Sequence, residues 1–138
     1  MLDNKLVAFF KSKSWWFDDT AIEYEQALSL YNLDLTSDLA KFYLHVEDGP
    51  TFSSRSFELL HLPWFIINSD FQLLVNTVKS SLQCDEDLLP ITNLEAQSCF
   101  FYNKKKGSVI LLKLSQSGIV CDKEWNCWND FIEWYFEV

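Results

Sequence analysis

The chain of 138 residues is poor in glycine and proline, with three of each. Flexible linkers and low-complexity segments depend on these residues, so neither is expected. No stretch approaches the roughly 20 apolar residues that a membrane span needs, and the N-terminal sequence lacks the apolar core and cleavage site of a secretory signal. We therefore predict one cytoplasmic domain over residues 1–138, with an N-terminal helical extension at residues 1–19.

Basic residues are also scarce, because 11 Lys and Arg stand against 20 Asp and Glu, which gives a formal net charge of −9. The field of such a protein repels nucleic acid and anionic membranes, so neither is expected as a partner. It favours a basic protein partner, although many proteins are acidic for solubility alone. The charge thus narrows the class of partner without identifying one.

Residues suited to catalysis or metal binding are few and scattered. The two histidines, His45 and His61, have no neighbours in sequence that would complete a catalytic group. The four cysteines form no CxxC pair, and the chain has no phosphate-binding glycine loop, GxSxG motif or EF-hand loop. We therefore predict no enzyme activity, no cofactor and no metal site.

Helical spacing of apolar residues predicts five helices. They are a first helix from Asn4 to about Lys13, a second from a Thr20–Glu23 capping box to about Tyr31, a third capped by Thr36 and ended by Gly49, a fourth over Asp70–Cys84, and a last one capped by Asn126. Ile22 and Leu28 are expected to face inward on the second helix. The third should bury Leu39, Phe42, Tyr43 and Val46, which recur at helical spacing.

The strands are predicted mainly in the second half of the chain. Phe57–Leu62 has the composition of a strand, Pro63 interrupts it, and Trp64–Ile67 is expected to be extended. Leu88–Ile91 leads into a meander whose strands are Ser98–Tyr102, Ser108–Leu114 and Ile119–Cys121. Cys99 and Cys121 are expected to be buried within them.

These elements predict an α+β fold: a central antiparallel sheet with a C-terminal meander, flanked by N-terminal helices and closed by a C-terminal helix. Aromatic residues are abundant, with 12 Phe, 6 Trp and 5 Tyr. Trp15-Trp16-Phe17 is either a lid over the core or a contact surface, and we expect the lid, because apolar bulk is more often buried than displayed.

The order of these motifs resembles the SUKH superfamily, which includes cell-wall assembly regulators and many bacterial immunity proteins. The matching residues are Glu25 with Leu28, Leu35 with Asp38-Leu39 and Phe42, Gly49, Leu88-Leu89-Pro90-Ile91, Gly107-Ser108-Val109, and Trp128 with Phe131. The resemblance implies an immunity protein of a polymorphic or contact-dependent toxin system. Such proteins bind a cognate toxin domain, often a basic nuclease, and occlude its active site.

Exposed acids supplemented by an aromatic residue are the expected contacts with such a toxin domain. The candidates are Glu47, Asp48, Trp64, Asp85, Glu86 and Asp87. We expect the protein to be a monomer or a weak dimer. Two alternatives remain open from the sequence: a regulatory interaction module of the same fold without a toxin partner, and a small enzyme whose site includes a histidine beside a carboxylate.

Overall fold

The computed structural model covers residues 1–138 and contains six helices and six strands. The helices are α1 (Asn4–Ser12), α2 (Ile22–Leu30), α3 (Asp38–His45), α4 (Leu62–Asn68), α5 (Phe71–Leu82) and α6 (Trp128–Phe136). The strands are β1 (Thr51–Phe52), β2 (Leu59–Leu60), β3 (Leu88–Pro90), β4 (Ser98–Asn103), β5 (Val109–Ser115) and β6 (Gly118–Trp125). The fold is α+β, as predicted.

Strands β3 to β6 form an antiparallel meander in chain order, which confirms the predicted architecture of the sheet. The β4–β5 turn closes at Gly107, whose φ of +74° favours glycine and whose N–H donates to the carbonyl of Asn103 at 2.8 Å. The short β1–β2 pair is a separate two-stranded sheet. It is joined to the residue after β3, because the N–H of Leu60 donates to the carbonyl of Ile91 at 2.9 Å.

The two faces of the sheet are covered by different helices. One face, with Phe100 and Val109, belongs to the main core together with side chains of α1, α3 and α6. The other face, with Cys99 and Phe101, packs against Val78 of α5 and its neighbours. Much of the main core is aromatic, and the four residues predicted for the apolar stripe of α3 are buried there. The helix ends at His45 and not at Gly49, so Val46 lies in extended backbone just beyond it. Burial of these aromatic rings against the sheet stabilises the fold and accounts for the high content of phenylalanine and tryptophan.

The first and last helices meet in this core. The rings of Phe10 in α1 and Phe136 in α6 are 5.3 Å apart in an edge-to-face arrangement. The backbone N–H of Asp3 donates to the side-chain oxygen of Asn129 at 3.2 Å. Both contacts join residues more than 120 positions apart, so α1 and α6 stabilise each other directly.

The prediction that Trp64–Ile67 is extended is wrong, because these residues lie in α4. His61 caps this helix by accepting the N–H of Trp64 at Nδ1, at 3.2 Å. Pro63 lies in the first turn, where the missing N–H has no intrahelical partner to lose. The strand predicted over Phe57–Leu62 is correspondingly shorter, and only Leu59–Leu60 is a strand.

Three helix starts also differ from the prediction, those of α2, α3 and α6. Ala21 precedes the first turn of α2 without a side-chain cap, and the Thr20 hydroxyl donates instead to the carboxylate of Glu25 at 3.3 Å. Ile22 is 63% exposed, so the inward orientation predicted for it is wrong. The cap of α3 is Ser37 rather than Thr36.

The hydroxyl and N–H of Thr36 bond instead to the carboxylate of Asp34, which leaves Ser37 to accept the N–H of Ala40 at 3.2 Å. At the last helix, α6, the capping position is Cys127 rather than Asn126, and it makes no side-chain capping bond. These shifts of one residue arise because several polar residues stand together at each helix start.

The far end of the meander is more exposed than predicted. Cys99 is buried as expected, whereas Cys121 is exposed on β6, which is the edge strand of the meander. The apolar run of β5 is covered at its start, but Leu114 near its end is 36% exposed. None of the helices combines the length and apolar character that crossing a membrane requires.

Candidate functional site

The six predicted contact residues lie in three places. Glu47 and Asp48 follow α3, Trp64 lies half-buried on α4, and the loop Asp85–Asp87 precedes β3. Helix α2 separates the two acidic groups. Tyr24 near its start bonds to Glu47, whereas the carbonyl of Tyr31 after its end accepts from Lys104, whose backbone N–H donates to Asp87 of the loop. Seven residues of helix separate these positions, or about 10 Å along the axis. The structure therefore does not join the six residues into one site.

The loop Asp85–Asp87 lies next to the chain's run of three lysines. The backbone N–H of Lys104 donates to the carbonyl of Asp87 at 2.8 Å, and Lys104–Lys106 form the adjacent β4–β5 turn. The three acidic side chains are exposed. Because opposite charges stand side by side, the negative field of this loop is partly cancelled.

Glu47 has a more defined setting. It is half-buried, and the Tyr24 hydroxyl lies 2.9 and 3.0 Å from its two carboxylate oxygens. Burial, followed by the hydrogen bond and the negative charge of Glu47, raises the pKa of Tyr24 to about 12. The hydroxyl therefore stays protonated at neutral pH, donates to the carboxylate and fixes its position.

The segment before α2 packs along the end of α3 and completes this site. The N–H of Phe17 donates to the carbonyl of His45 at 2.7 Å, and the N–H of Glu47 donates to the carbonyl of Trp15 at 3.0 Å. His45 Nδ1 lies 2.7 Å from the carbonyl oxygen of Phe17, which can only accept, so Nδ1 carries a proton. The His45 ring also stacks on Trp16, with centroids 4.8 Å apart.

These contacts enclose a depression that we call the acidic cleft, with a volume of about 180 Å³. Its walls are the side chains of Phe17, Asp19, Tyr24 and Glu47, together with the last turn of α3. Phe17 is 50% exposed, so its ring is open to a ligand. Trp15 and Trp16 are partly buried against the core, as the lid prediction requires, whereas Phe17 does not belong to the lid.

The electrostatics of the acidic cleft favour a positive group. Asp19 and Glu47 contribute carboxylates, and neither lies in an ion pair. The C-terminal end of α3 adds the negative end of the helix dipole. No backbone N–H donates to the carbonyl of Leu44, a residue that lines the cleft and is only 8% exposed. An unpaired helix-end carbonyl of this kind calls for a hydrogen-bond donor.

A larger cleft of about 460 Å³ lies at the other end of α2, but its polar groups are used within the fold. Lys104 donates through Nζ to the carbonyl of Tyr31 at 3.2 Å. Asp70 accepts the N–H of Leu73 at 3.1 Å as the cap of α5. This cleft is lined by both Asp70 and Lys104, so its charge favours neither a cationic nor an anionic ligand.

His61 has a structural role. It is fully buried between the rings of Tyr24 and Tyr43, and burial lowers its pKa to about 4. The nearby carbonyls of Tyr43 and Val46 oppose this shift, although neither is aligned to accept a hydrogen bond from Nε2. Burial also raises the pKa of Cys99 to about 12, so this residue remains a thiol.

The sequence did not single out Phe17, Asp19 and Tyr24 as site residues. The contacts that bring them together join positions 23 and 28 residues apart, so no local spacing indicates them. Comparison with protein-family models, with curated proteins and with solved structures gave no match. The SUKH resemblance therefore stays a prediction that rests on the motifs of the chain itself.

Proposed function

We propose that this protein is an immunity protein that binds a basic toxin domain and neutralises it by covering its active site. The observation that carries the proposal is that most of the carboxylates lie outside ion pairs. Of 20 acidic side chains, only Asp38 and Glu133 lie in ion pairs, the first with the amino group of Met1 and the second with Lys5. The remaining negative charge is free to act on a partner.

Two of the few cations lie together against the end of α6 and not in ion pairs with carboxylates. The guanidinium of Arg55 and the amine of Lys123 lie 4.3 and 5.0 Å from the ring centroid of Trp134. Arg55 Nε also donates to the carbonyl of Trp134 at 3.1 Å. These groups stabilise the end of α6.

Such a charge distribution suits inhibition by binding. Long-range attraction accelerates encounter with a basic cleft, and a few desolvated anchors set the lifetime of the complex. Glu47 and Phe17 have the half-buried, fixed positions that anchors need. The exposed loop Asp85–Asp87 fits the steering role better than the anchoring role, because its charges are hydrated, although the adjacent lysines reduce its field.

The proposal is tested by capture of the partner and by a protection assay. Tagged protein is incubated at low salt with lysate of the native host, and the retained proteins are identified by mass spectrometry. We expect a stoichiometric basic domain encoded beside this chain. When expressed alone, that domain should be toxic, and co-expression of this protein should restore growth. A captured domain whose toxicity is unaffected by co-expression would refute the proposal.

The alternative is a regulatory interaction module of the same fold. Its distinguishing feature is a partner that is neither toxic nor encoded nearby. Salt dependence separates the two further, because occlusion of a basic cleft should weaken steeply as salt rises. A complex whose affinity is insensitive to salt would favour the regulatory module.

A further inference from the structure

We propose that the acidic cleft binds an arginine side chain presented by the partner. This inference deepens the proposed function and rests on it for the identity of the partner, but the chemistry of the cleft is testable on this protein alone. The cleft offers three kinds of recognition within one small volume: carboxylates, an unpaired carbonyl and an exposed aromatic ring.

The acceptors in the cleft come from different elements. Asp19 belongs to the segment before α2 and Glu47 to the residues that follow α3, while Leu44, whose carbonyl receives no backbone N–H, lines the cleft from the last turn of α3. A guanidinium carries five N–H donors in a planar fork, so it can bond to several such acceptors at once. The ammonium of lysine is a compact point charge and matches a distributed set of acceptors less well.

The ring of Phe17 supplies the second element of specificity. Its backbone is fixed on both sides, because its N–H donates to His45 and its carbonyl accepts from the His45 ring. The side chain is nevertheless half exposed at the rim of the cleft. Guanidinium groups stack on aromatic faces, and this stacking strengthens when the pair is partly removed from water.

Glu47 is organised in advance for this contact. The Tyr24 hydroxyl can donate only one proton to the carboxylate, which leaves most of its acceptor capacity free. Because the side chain is already held, little conformational entropy is lost when an arginine binds. Tyr24 acts here as a positioning residue for Glu47.

The first test uses the free protein and small probes. Backbone amide resonances are followed by NMR while N-acetyl-arginine amide is added, with N-acetyl-citrulline amide as the uncharged isostere and N-acetyl-lysine amide as the second cation. We expect arginine to shift the amides of Phe17, His45 and Glu47, lysine to bind at least about threefold more weakly, and citrulline to have no effect. Equal shifts with citrulline, or shifts confined to other surfaces, would overturn the inference.

The second test uses the captured basic domain. Glu47→Gln keeps an oxygen for the Tyr24 hydroxyl, and Glu124→Gln on the edge strand β6 removes the same charge at a distance from the cleft. We expect Glu47→Gln to weaken the complex at least about tenfold and Phe17→Ala about threefold, whereas Glu124→Gln should change affinity less than about twofold.

The two tests separate the inference from the proposed function. If the domain binds, and if Glu47→Gln and Glu124→Gln change its affinity by the same factor, the acidic cleft is not part of the interface. The proposal that the protein neutralises a toxin would still stand. If arginine amide binds the cleft but no toxic domain is found, the chemistry of the cleft stands and the immunity function fails.

Discussion

Acidification should destabilise this protein through one buried side chain, His61. Its pKa in the folded protein is about 4 because it is completely buried, whereas a histidine in the unfolded chain has a pKa of about 6.5. Between these values the unfolded chain binds a proton that the folded protein does not bind. The contribution of His61 to stability is therefore fully present above about pH 6.5 and is lost as the pH falls toward about 4.

The size of this effect follows from the two pKa values. Each unit of difference corresponds to about 1.4 kcal/mol, so the free energy of unfolding should fall by about 3 kcal/mol across this window. The rings that enclose His61 belong to Tyr24 and Tyr43, which do not titrate in this range, since burial raises the pKa of both. The loss should therefore follow the titration of the imidazole itself.

Urea unfolding, followed by tryptophan fluorescence at intervals from about pH 7 to about pH 4, measures the effect. His61→Asn keeps a capping side chain for α4 but does not titrate, so its profile should be flatter by about 3 kcal/mol, although it starts from lower stability at neutral pH. His45→Gln, the matched control, removes the partly exposed histidine and should keep the steep profile. If His61→Asn and the wild type lose stability in parallel, the buried neutral imidazole is not responsible.

Three further predictions concern other contacts. Tyr135→Phe should lower the free energy of unfolding by about 2 kcal/mol in a urea titration, because its buried hydroxyl accepts the N–H of Leu59 at 3.1 Å and lies 2.7 Å from two backbone carbonyls. Tyr31→Phe is the control: its hydroxyl bonds to Gln72 at the surface, so its loss should lower the free energy of unfolding by under about 0.5 kcal/mol. Equal losses in the two variants would contradict this reasoning. Gly49→Ala should lower the free energy of unfolding by about 1 kcal/mol in the same assay. The cost comes from the backbone alone, since φ is +76° and an added Cβ meets no atom within 4 Å. An unchanged stability would show that the backbone relaxes there. The pair Asp85→Lys and Glu86→Lys should slow association with the captured basic domain about threefold or more in a stopped-flow measurement at low salt, whereas an unchanged rate and affinity would exclude the loop from the interface.

The sequence predicts best those helices and turns that are determined by a pattern of neighbouring residues. The stripe of α3 repeats at helical spacing, and the turn before Gly107 joins two apolar runs, so both follow from neighbouring residues. Pro63 shows the limit of such reasoning. Proline breaks a helix when it lies in the interior but is favoured in the first turn. Pro63 lies in the first turn of α4 because His61 caps the helix just before it, and this cap could not be recognised from the sequence.

The candidate site was predictable only in part for the same reason. Glu47 could be proposed from its charge and its place after a helix. Its partner Tyr24 and the ring of Phe17 reach it through contacts across more than 20 residues, formed only when the segment before α2 packs along α3. An acidic pair such as Asp18-Asp19 has the same composition whether it faces solvent or a cleft, so composition alone cannot identify it.

The contact between α1 and α6 has a consequence for how the protein forms in the cell. Phe10 is synthesised 126 residues before Phe136, the residue whose ring it contacts. Until α6 emerges, Phe10 and Phe42 lack two of their aromatic neighbours, Phe136 and Trp128. The nascent chain must therefore carry exposed aromatic surface until α6 has been synthesised. Chaperones shield surface of this kind, and the core can close only after α6 has left the ribosome.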